Sequence, residues 1–464
     1  MPSRPIQIKR LLGRNGIDPP QELPDDLGVE ALNVDFYDGA IGQKRPGATN
    51  VTLNGFSVAG RITSLHRYLP SDDERNAELW ASDGGGDSAS LRRLAAGTTW
   101  VAVPYYTSDF EVQTDSYNVD AVSFNGHLFV ANDKVVDRLS YFNLGVDTTS
   151  LRPVGLETPA TPAAPAEAVG AVTDVRQYAV CWTSQLSGNT YKRSNISANT
   201  ASVTLTAEHA TVTRPALPGN SDETHWELYA FSDDDNFAIG RLIATTLAAT
   251  TPAVDNNASL TSFTTAPPLT GANTPFPSMK FLLTDGIHLI GANAWNVVAG
   301  TSTDFTRSTR LICWTPALGT TYTDGDDQRV SNTTDIKNFL YAPAGLTGLG
   351  GPLYGNPITF GYRFVGKLIP TGEATSAFEH RVIRTDIGCI RHKTIVLAED
   401  ESGQPALYWL SPRGPYRMGA GGIEFIGRDV QDLWDTVNLG ATAVVGWGIF
   451  LPEKGQIHWH IATG

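Results

Sequence analysis

The stretch Val119-Asp-Ala-Val-Ser-Phe124, Asn125-Gly126, His127-Leu-Phe-Val-Ala131, followed by Arg138-Leu-Ser-Tyr-Phe142, decides the fold. Its first two runs have strand length and apolar enrichment. Asn-Gly is the dipeptide that a two-residue hairpin needs, because both turn residues must take positive φ. The third run carries an aromatic and adds another strand. Upstream the same cycle reads Ile62-Thr-Ser-Leu-His-Arg-Tyr68, Ala77-Glu-Leu-Trp-Ala81, a glycine turn at Asp83-Gly-Gly-Gly86, Leu91-Arg-Arg-Leu94 and Thr99-Trp-Val-Ala-Val103. Downstream it returns as Met279-Lys-Phe-Leu-Leu-Thr284, Asp285-Gly286 and Ile287-His-Leu-Ile-Gly-Ala292, then as Thr394-Ile-Val-Leu-Ala398 and Ala406-Leu-Tyr-Trp-Leu410. Imperfect units of a few tens of residues are the signature of propeller blades, which cannot bury both faces alone and so close into a ring. The expected fold class is therefore all-β, a β-propeller. A β-sandwich with fortuitous internal similarity is the competing architecture.

A segment of different composition interrupts the cycles. Residues 157–168, Glu-Thr-Pro-Ala-Thr-Pro-Ala-Ala-Pro-Ala-Glu-Ala, form a Pro/Ala-rich border that favours extended polyproline II. Beyond it Gln177-Tyr-Ala-Val-Cys-Trp-Thr183, Ser202-Val-Thr-Leu-Thr206 and Thr224-His-Trp-Glu-Leu-Tyr-Ala230 alternate, and a second border follows at Pro267-Pro268 and Pro275–Pro277. Short alternating strands between proline-rich hinges predict an inserted immunoglobulin- or fibronectin-like β-sandwich. The expected domains are an N-terminal arm and hairpin over 1–50, a first propeller part over 51–158, the inserted sandwich over 159–274 and a second propeller part over 275–464. The arm contains Pro19, Pro20 and Pro24, which rule out a continuous helix, and ends in a hairpin around Asp38-Gly39. Helix is nearly absent, and the best candidate is Arg428-Asp-Val-Gln-Asp-Leu-Trp-Asp-Thr-Val437.

Composition narrows the function classes. The 464-residue chain is 41% hydrophobic, enough for a substantial core, and its 45 Gly and 28 Pro punctuate frequent turns. A net charge of −14 lacks the electrostatic footprint of a protein that grips phosphate backbones or an anionic membrane. No apolar signal region opens the chain and no run reaches spanning length, so the expectation is synthesis in the cytoplasm, no Sec-type export and no membrane anchor. Three distant cysteines, Cys181, Cys313 and Cys389, form no CxxC pair and are expected to be buried free thiols.

Several pieces together resemble the tail hub or nozzle proteins of short-tailed bacteriophages. These are Asn33-Val-Asp35, Asp38-Gly39 and Lys44-Arg-Pro-Gly47, then Gln177-Tyr-Ala-Val180, Thr224–Ala230 and Val254-Asp255, and late in the chain Ala406-Leu-Tyr-Trp-Leu-Ser-Pro-Arg-Gly-Pro-Tyr-Arg417 before the short helix pattern. Their order and spacing carry the resemblance across most of the chain. It implies a structural, non-enzymatic virion protein of the tail. It also implies a ring homo-oligomer, sixfold in the better-known relatives, below the tail adaptor and portal proteins. Tail fibres or spikes would be further partners, and DNA would pass at ejection without specific binding. The chain stops at His458-Trp-His-Ile-Ala-Thr-Gly464 inside strand-like sequence, where a strand would close the ring or the chain would continue.

Catalytic and metal chemistry finds little support in the residues. A glycosidase would need two carboxyl groups about 5 Å apart; Ser82-Asp-Gly84 begins like the Asp-box of sialidase-like propellers but lacks the tryptophan at the right offset. Asp233-Asp-Asp235 and Asp324-Gly-Asp-Asp327 offer hard oxygen ligands for calcium but miss EF-hand spacing. His458 and His460 share a strand face, though no third zinc ligand lies nearby in sequence. Trp434-Asp435 occurs once, without the periodic partners of a WD repeat. No GxSxG elbow, Walker loop or HExxH is present, so no catalytic residue, cofactor site or metal site is assigned. A carbohydrate-binding tail adhesin is the alternative reading, and a propeller glycoside hydrolase ranks behind it.

Overall fold

The computed structural model is all-β and describes residues 13–14, 27–28, 34–36, 42–44, 62–70, 77–83, 91–95, 99–103, 119–131, 140–143, 147–186, 189–217, 223–268, 276–295, 307–315, 317, 338–373, 376–400, 402–440, 442, 446–452 and 455–461. In the arm, β1 (Gly13–Arg14) pairs in parallel with β2 (Leu27–Gly28), while β3 (Val34–Phe36) and β4 (Gly42–Lys44) form the hairpin expected around Asp38-Gly39.

Five four-stranded antiparallel meanders make up most of the rest, each with its strands in chain order. The first is β5 (Ile62–Tyr68), β6 (Glu78–Asp83), β7 (Leu91–Ala95) and β8 (Thr99–Ala102). The second is β9 (Asp120–Phe124), β10 (His127–Ala131), β11 (Ser140–Asn143) and β12 (Asp147–Pro153). The inserted region supplies β13 (Ala166–Leu186), β14 (Asn189–Arg193), β15 (Val203–Val212), β16 (His225–Ser232), β17 (Arg241–Leu247) and β18 (Ala253–Asp255). The third meander is β19 (Phe281–Thr284), β20 (Leu289–Trp295), β21 (Arg307–Trp314) and β22 (Phe339–Tyr341). The fourth is β23 (Leu346–Leu353), β24 (Asn356–Gly361), β25 (Val365–Glu373) and β26 (Ser376–Arg384), and the fifth is β27 (Val396–Glu399), β28 (Pro405–Ser411), β29 (Gly414–Gly419) and β30 (Gly422–Phe425). A 3-10 turn at Arg428–Val430 and a one-turn helix, α1 (Gln431–Trp434), precede a final hairpin of β31 (Trp447–Leu451) and β32 (Gln456–His460). The helix pattern over 428–437 thus yields a single turn of α-helix. No helix among the described residues is long and apolar enough to cross a membrane.

The chain divides into two compact units. One comprises Gly55–Gly345 with Pro370–Glu379. Within it the first meander packs on the second through Tyr68, Trp80, Leu91, Leu128 and Phe142. Trp80 lies 4.7 Å from the Phe142 ring, and Arg93 covers the same ring at 5.3 Å. Each fully buried aromatic of this kind contributes roughly 2–3 kcal/mol of hydrophobic stabilisation. Polar clamps set the two sheets in register: Tyr68 Oη donates to the Gly126 carbonyl, and Ser123 Oγ donates to the Arg67 carbonyl while accepting from the Leu69 amide. Asn125 and Gly126 both take positive φ, as the hairpin reading requires, and a Cβ at Gly126 would press on the Pro70 carbonyl oxygen at 3.3 Å. The second meander packs in turn on the third, through Phe124, Phe129, Met279, Leu289 and Cys313. Here the largely buried Asp120 carboxylate accepts from the Leu282 amide at 2.7 Å. The first strands of these sheets, β5, β9 and β19, lie side by side.

Between the second and third meanders, β13–β18 hydrogen-bond into one curled sheet of six strands. The sequence suggested two sheets. One sheet results because β13 is 21 residues long: its first half pairs with β15 and its second half with β16, with irregular register between Val169 and Thr173. The bend lets both halves enclose one core of Val172, Tyr178, Trp182, Leu205 and Trp226.

The other unit comprises Met1–Asn54, Leu346–Ile369 and His380–Gly464. Its fourth and fifth meanders share a core in which Phe360 lies 5.1 Å from Trp409. The fourth was not legible as a sheet in the sequence, because Leu346-Thr-Gly-Leu-Gly-Gly-Pro-Leu353 reads as turn. Its glycines mark close approach: a Cβ at Gly348 or Gly350 would fall 2.6 or 2.7 Å from Ile395. The final hairpin is tied to this unit by Trp459 Nε1, which donates to the Thr394 carbonyl at 2.9 Å.

Candidate functional site

The densest polar chemistry among the described residues lies inside the inserted sheet, on both faces of β13. Successive strand residues face opposite ways, so Arg176, Tyr178, Val180 and Trp182 share one face. The register Tyr178↔Ala230 and Trp182↔Trp226 places that face against the large core. Arg176 is fully buried there, with every guanidinium nitrogen used. Nη1 donates to Asp255 Oδ2 at 2.5 Å, Nε to Asp174 Oδ2 at 2.9 Å and Nη2 to the Asn257 carbonyl at 2.7 Å. Tyr178 Oη donates to the same Asp255 oxygen at 2.8 Å, and Asp255 Oδ1 accepts from Asn257 through its amide and its side chain. Ser232 Oγ donates to Asp174 Oδ1. Burial works against the charge on Arg176, but the hydrogen bonds and negative charge of Asp174 and Asp255 outweigh it and raise its pKa. Burial, followed by the Asp255 charge, drives the Tyr178 phenol well above its ordinary range, so it stays a proton donor.

The opposite face of β13 and β16 holds a second network. Glu227, almost completely buried, accepts from Arg193 Nε and Nη2 and from Tyr229 Oη at 2.7 Å. Cys181 lies beside it, its thiol donating to the Ser194 carbonyl at 3.2 Å. Burial and the Glu227 charge push that thiol up to about 12, so at neutral pH it is no thiolate nucleophile. In both networks the acids and bases are turned inward and saturated with partners. Such an arrangement fixes strand geometry; its carboxylates are already committed as acceptors and so are not poised as general bases.

The residues singled out from the sequence are dispersed. Asp233–Asp235 form a 3-10 turn capped by Ser232 Oγ, and Asp235 pairs with Arg241 at 2.9 Å. Asp324–Asp327 lie outside the described residues. Among the described residues no group of three or more His, Cys, Asp or Glu side chains is placed to hold a metal ion. His458 and His460 both lie on β32; His458 Nε2 sits 3.1 Å from Gln456 Oε1 and His460 stacks on Trp447 at 5.8 Å. Cys181, Cys313 and Cys389 are buried free thiols, as expected. Ser82 is buried in β6, and Trp434-Asp435 falls at the end of the one-turn helix.

Sequence reasoning gave no role to Arg176, Asp255, Arg193 or Glu227, although Asp255 and Glu227 fall within pieces that carry the family resemblance. Arg176 and Asp255 are 79 residues apart. One signal was present: Arg176 occupies the strand phase of Tyr178, Val180 and Trp182, where a charge implies a buried counter-charge. No family model matches the chain, and no curated protein matches it in sequence.

Proposed function

We propose that this protein is a structural ring subunit of a short-tailed bacteriophage tail, acting as the nozzle or hub through which DNA is ejected. In this reading each four-stranded meander is a propeller blade, and the curled insert is a sandwich-like accessory domain carried between the second and third blades. The observation that carries it is the repeated meander: consecutive strands in order, faces packed on the next sheet, and first strands side by side. That is the arrangement from which propellers are built. The family resemblance along the sequence supplies the virion role, and the inward, saturated chemistry of the insert suits a mechanical part.

Copies of the chain contact one another through two different faces, as a closed heterologous ring requires. The adaptor and portal proteins lie above, with fibres or spikes attached outside. The net charge of −14 suits a wall that lets phosphates slide past. The test is electron microscopy and native mass spectrometry of the purified full-length protein. Closed rings with a central opening, showing no retention of duplex DNA at low salt, are expected. A protein that stays monomeric at high concentration, or that grips DNA in a salt-sensitive manner, overturns the proposal.

A further inference from the structure

The middle of β13 is closed by a segment that is not a strand. Along one edge of β13, β15 pairs with residues 166–176 and β14 with residues 183–186. Between them runs Ser194-Asn-Ile-Ser-Ala-Asn-Thr200, in which a hydroxyl recurs at every third residue. Each of these hydroxyl residues serves one residue of β13 twice. The Ser194 amide donates to the Trp182 carbonyl and Ser194 Oγ accepts from the Trp182 amide, both at 2.9 Å. Ser197 does the same for Val180 at 2.9 and 3.0 Å, and Thr200 for Tyr178 at 2.8 and 3.0 Å. Side-chain oxygens thus stand where a neighbouring strand would offer carbonyls. The segment uses three residues for every two of β13, whose advance is about 6.7 Å, so it is a shallow coil. Its ends are pinned by Arg193 on Glu227 and by Asn199 Nδ2, which donates to Gln177 Oε1 at 3.0 Å. Ile196 packs against the cluster of Ala179, Cys181, Tyr229 and Phe231.

The strand beneath has the composition that pairs with copies of itself. Gln177-Tyr-Ala-Val-Cys-Trp-Thr183 carries no charge, no proline and no glycine, and is rich in aromatic and apolar residues. Segments of this kind stack on identical segments when an edge is left open. β16 covers one edge over residues 176–183, and among the described residues the hydroxyl segment covers the other over 178–182. A regular strand in its place would present a fresh row of N–H and C=O groups outward, whereas a coil offers no such template. We propose that Ser194, Ser197 and Thr200 form an edge guard: they satisfy β13 without extending the ladder, and so keep its middle from pairing with β13 of a second copy. The guard acts within the insert and is independent of any role in a virion.

The full-length S194A/S197A/T200V variant tests the guard by amide hydrogen exchange and sedimentation. Strand amides alternate between edges, so those of Tyr178, Val180 and Trp182 face the guard and those of Ala179, Cys181 and Thr183 face β16. The first set should exchange about tenfold faster or more in the variant, and the second set within about twofold of the parent. The variant should also grow beyond the parent's own oligomer as concentration rises. S194T/S197T/T200S, which keeps every hydroxyl, should behave as the parent in both measurements. Equal exchange of the first set in variant and parent, acceleration of both sets together, or a variant no larger than the parent at high concentration overturns the guard. If the triple variant does not fold, Ser197→Ala alone decides, read at Val180 against Ala179 and Cys181 and by the same sedimentation comparison.

Discussion

The phenol of Tyr68 donates a 2.8 Å hydrogen bond to the main-chain carbonyl of Gly126, so the last residue of β5 fixes the turn between β9 and β10. Both partners are local products of the sequence, but their meeting sets the stacking of the first two meanders. Tyr68→Phe keeps the ring against Trp80 and Phe142 and removes this bond. The expected cost is about 1 kcal/mol, read from urea unfolding. A variant as stable as the parent would mean the bond contributes nothing to the stacking.

Phe378 inserts its ring 5.0 Å from His288 and 5.2 Å from Trp314, and is itself buried. Phe378→Ala leaves a cavity that these flat rings cannot readily close. A loss of about 3–5 kcal/mol is expected, together with faster proteolysis around 370–379. Unchanged cleavage there would show that the ring does not anchor this segment.

Asp255→Asn tests the buried guanidinium. The substitution keeps the shape but leaves Arg176 facing only the Asp174 carboxylate, and breaking a buried pair costs about 3–5 kcal/mol. The inserted sheet is expected to melt well below the remainder of the chain. Superimposable calorimetric traces for variant and parent would contradict that.

His380 carries a pH dependence. Its Nε2 lies 2.8 Å from Thr359 Oγ1, and burial holds its pKa below the ordinary 6.5. Between the depressed folded value and 6.5 the unfolded chain binds a proton that the folded chain does not, so stability rises with pH through that window. The contribution is complete above 6.5 and is lost as pH falls through the folded value. His380→Gln should therefore flatten the difference in stability between about pH 7.5 and about pH 5. Parallel curves for the two proteins would exclude His380 as the titrating group.

The thiols should be silent. Burial pushes Cys181 and Cys389 up to about 12 and raises Cys313 as well. Alkylation near neutral pH should label none of the three in the folded protein and all three in denaturant. Because these values are raised, the stabilisation they reflect is complete below the ordinary value of 9.0 and declines above it. Rapid labelling of the native protein would show that a core opens readily.

What the sequence determined by itself was local. Asn125-Gly126 dictated its turn, since few other pairs accept two positive φ values in succession. The alternation of Ile62–Tyr68 dictated a strand with one buried face, because the pleat repeats every two residues, whereas Gln177–Thr183 and Thr224–Ala230 read as the same kind of strand and are buried on both faces. The tertiary structure decided the rest. Leu346–Leu353 reads as turn until Ile395 is seen to occupy the space that glycine leaves free. The continuity of β13 through its bend depends on β15 and β16 each claiming one half of it. Arg176 meets Asp255, and Phe378 meets Trp314, across long loops of chain, and only folding brings them together. Backbone dihedrals and pleat are set by neighbours in sequence, whereas burial, counter-charge and close approach are set by neighbours in space.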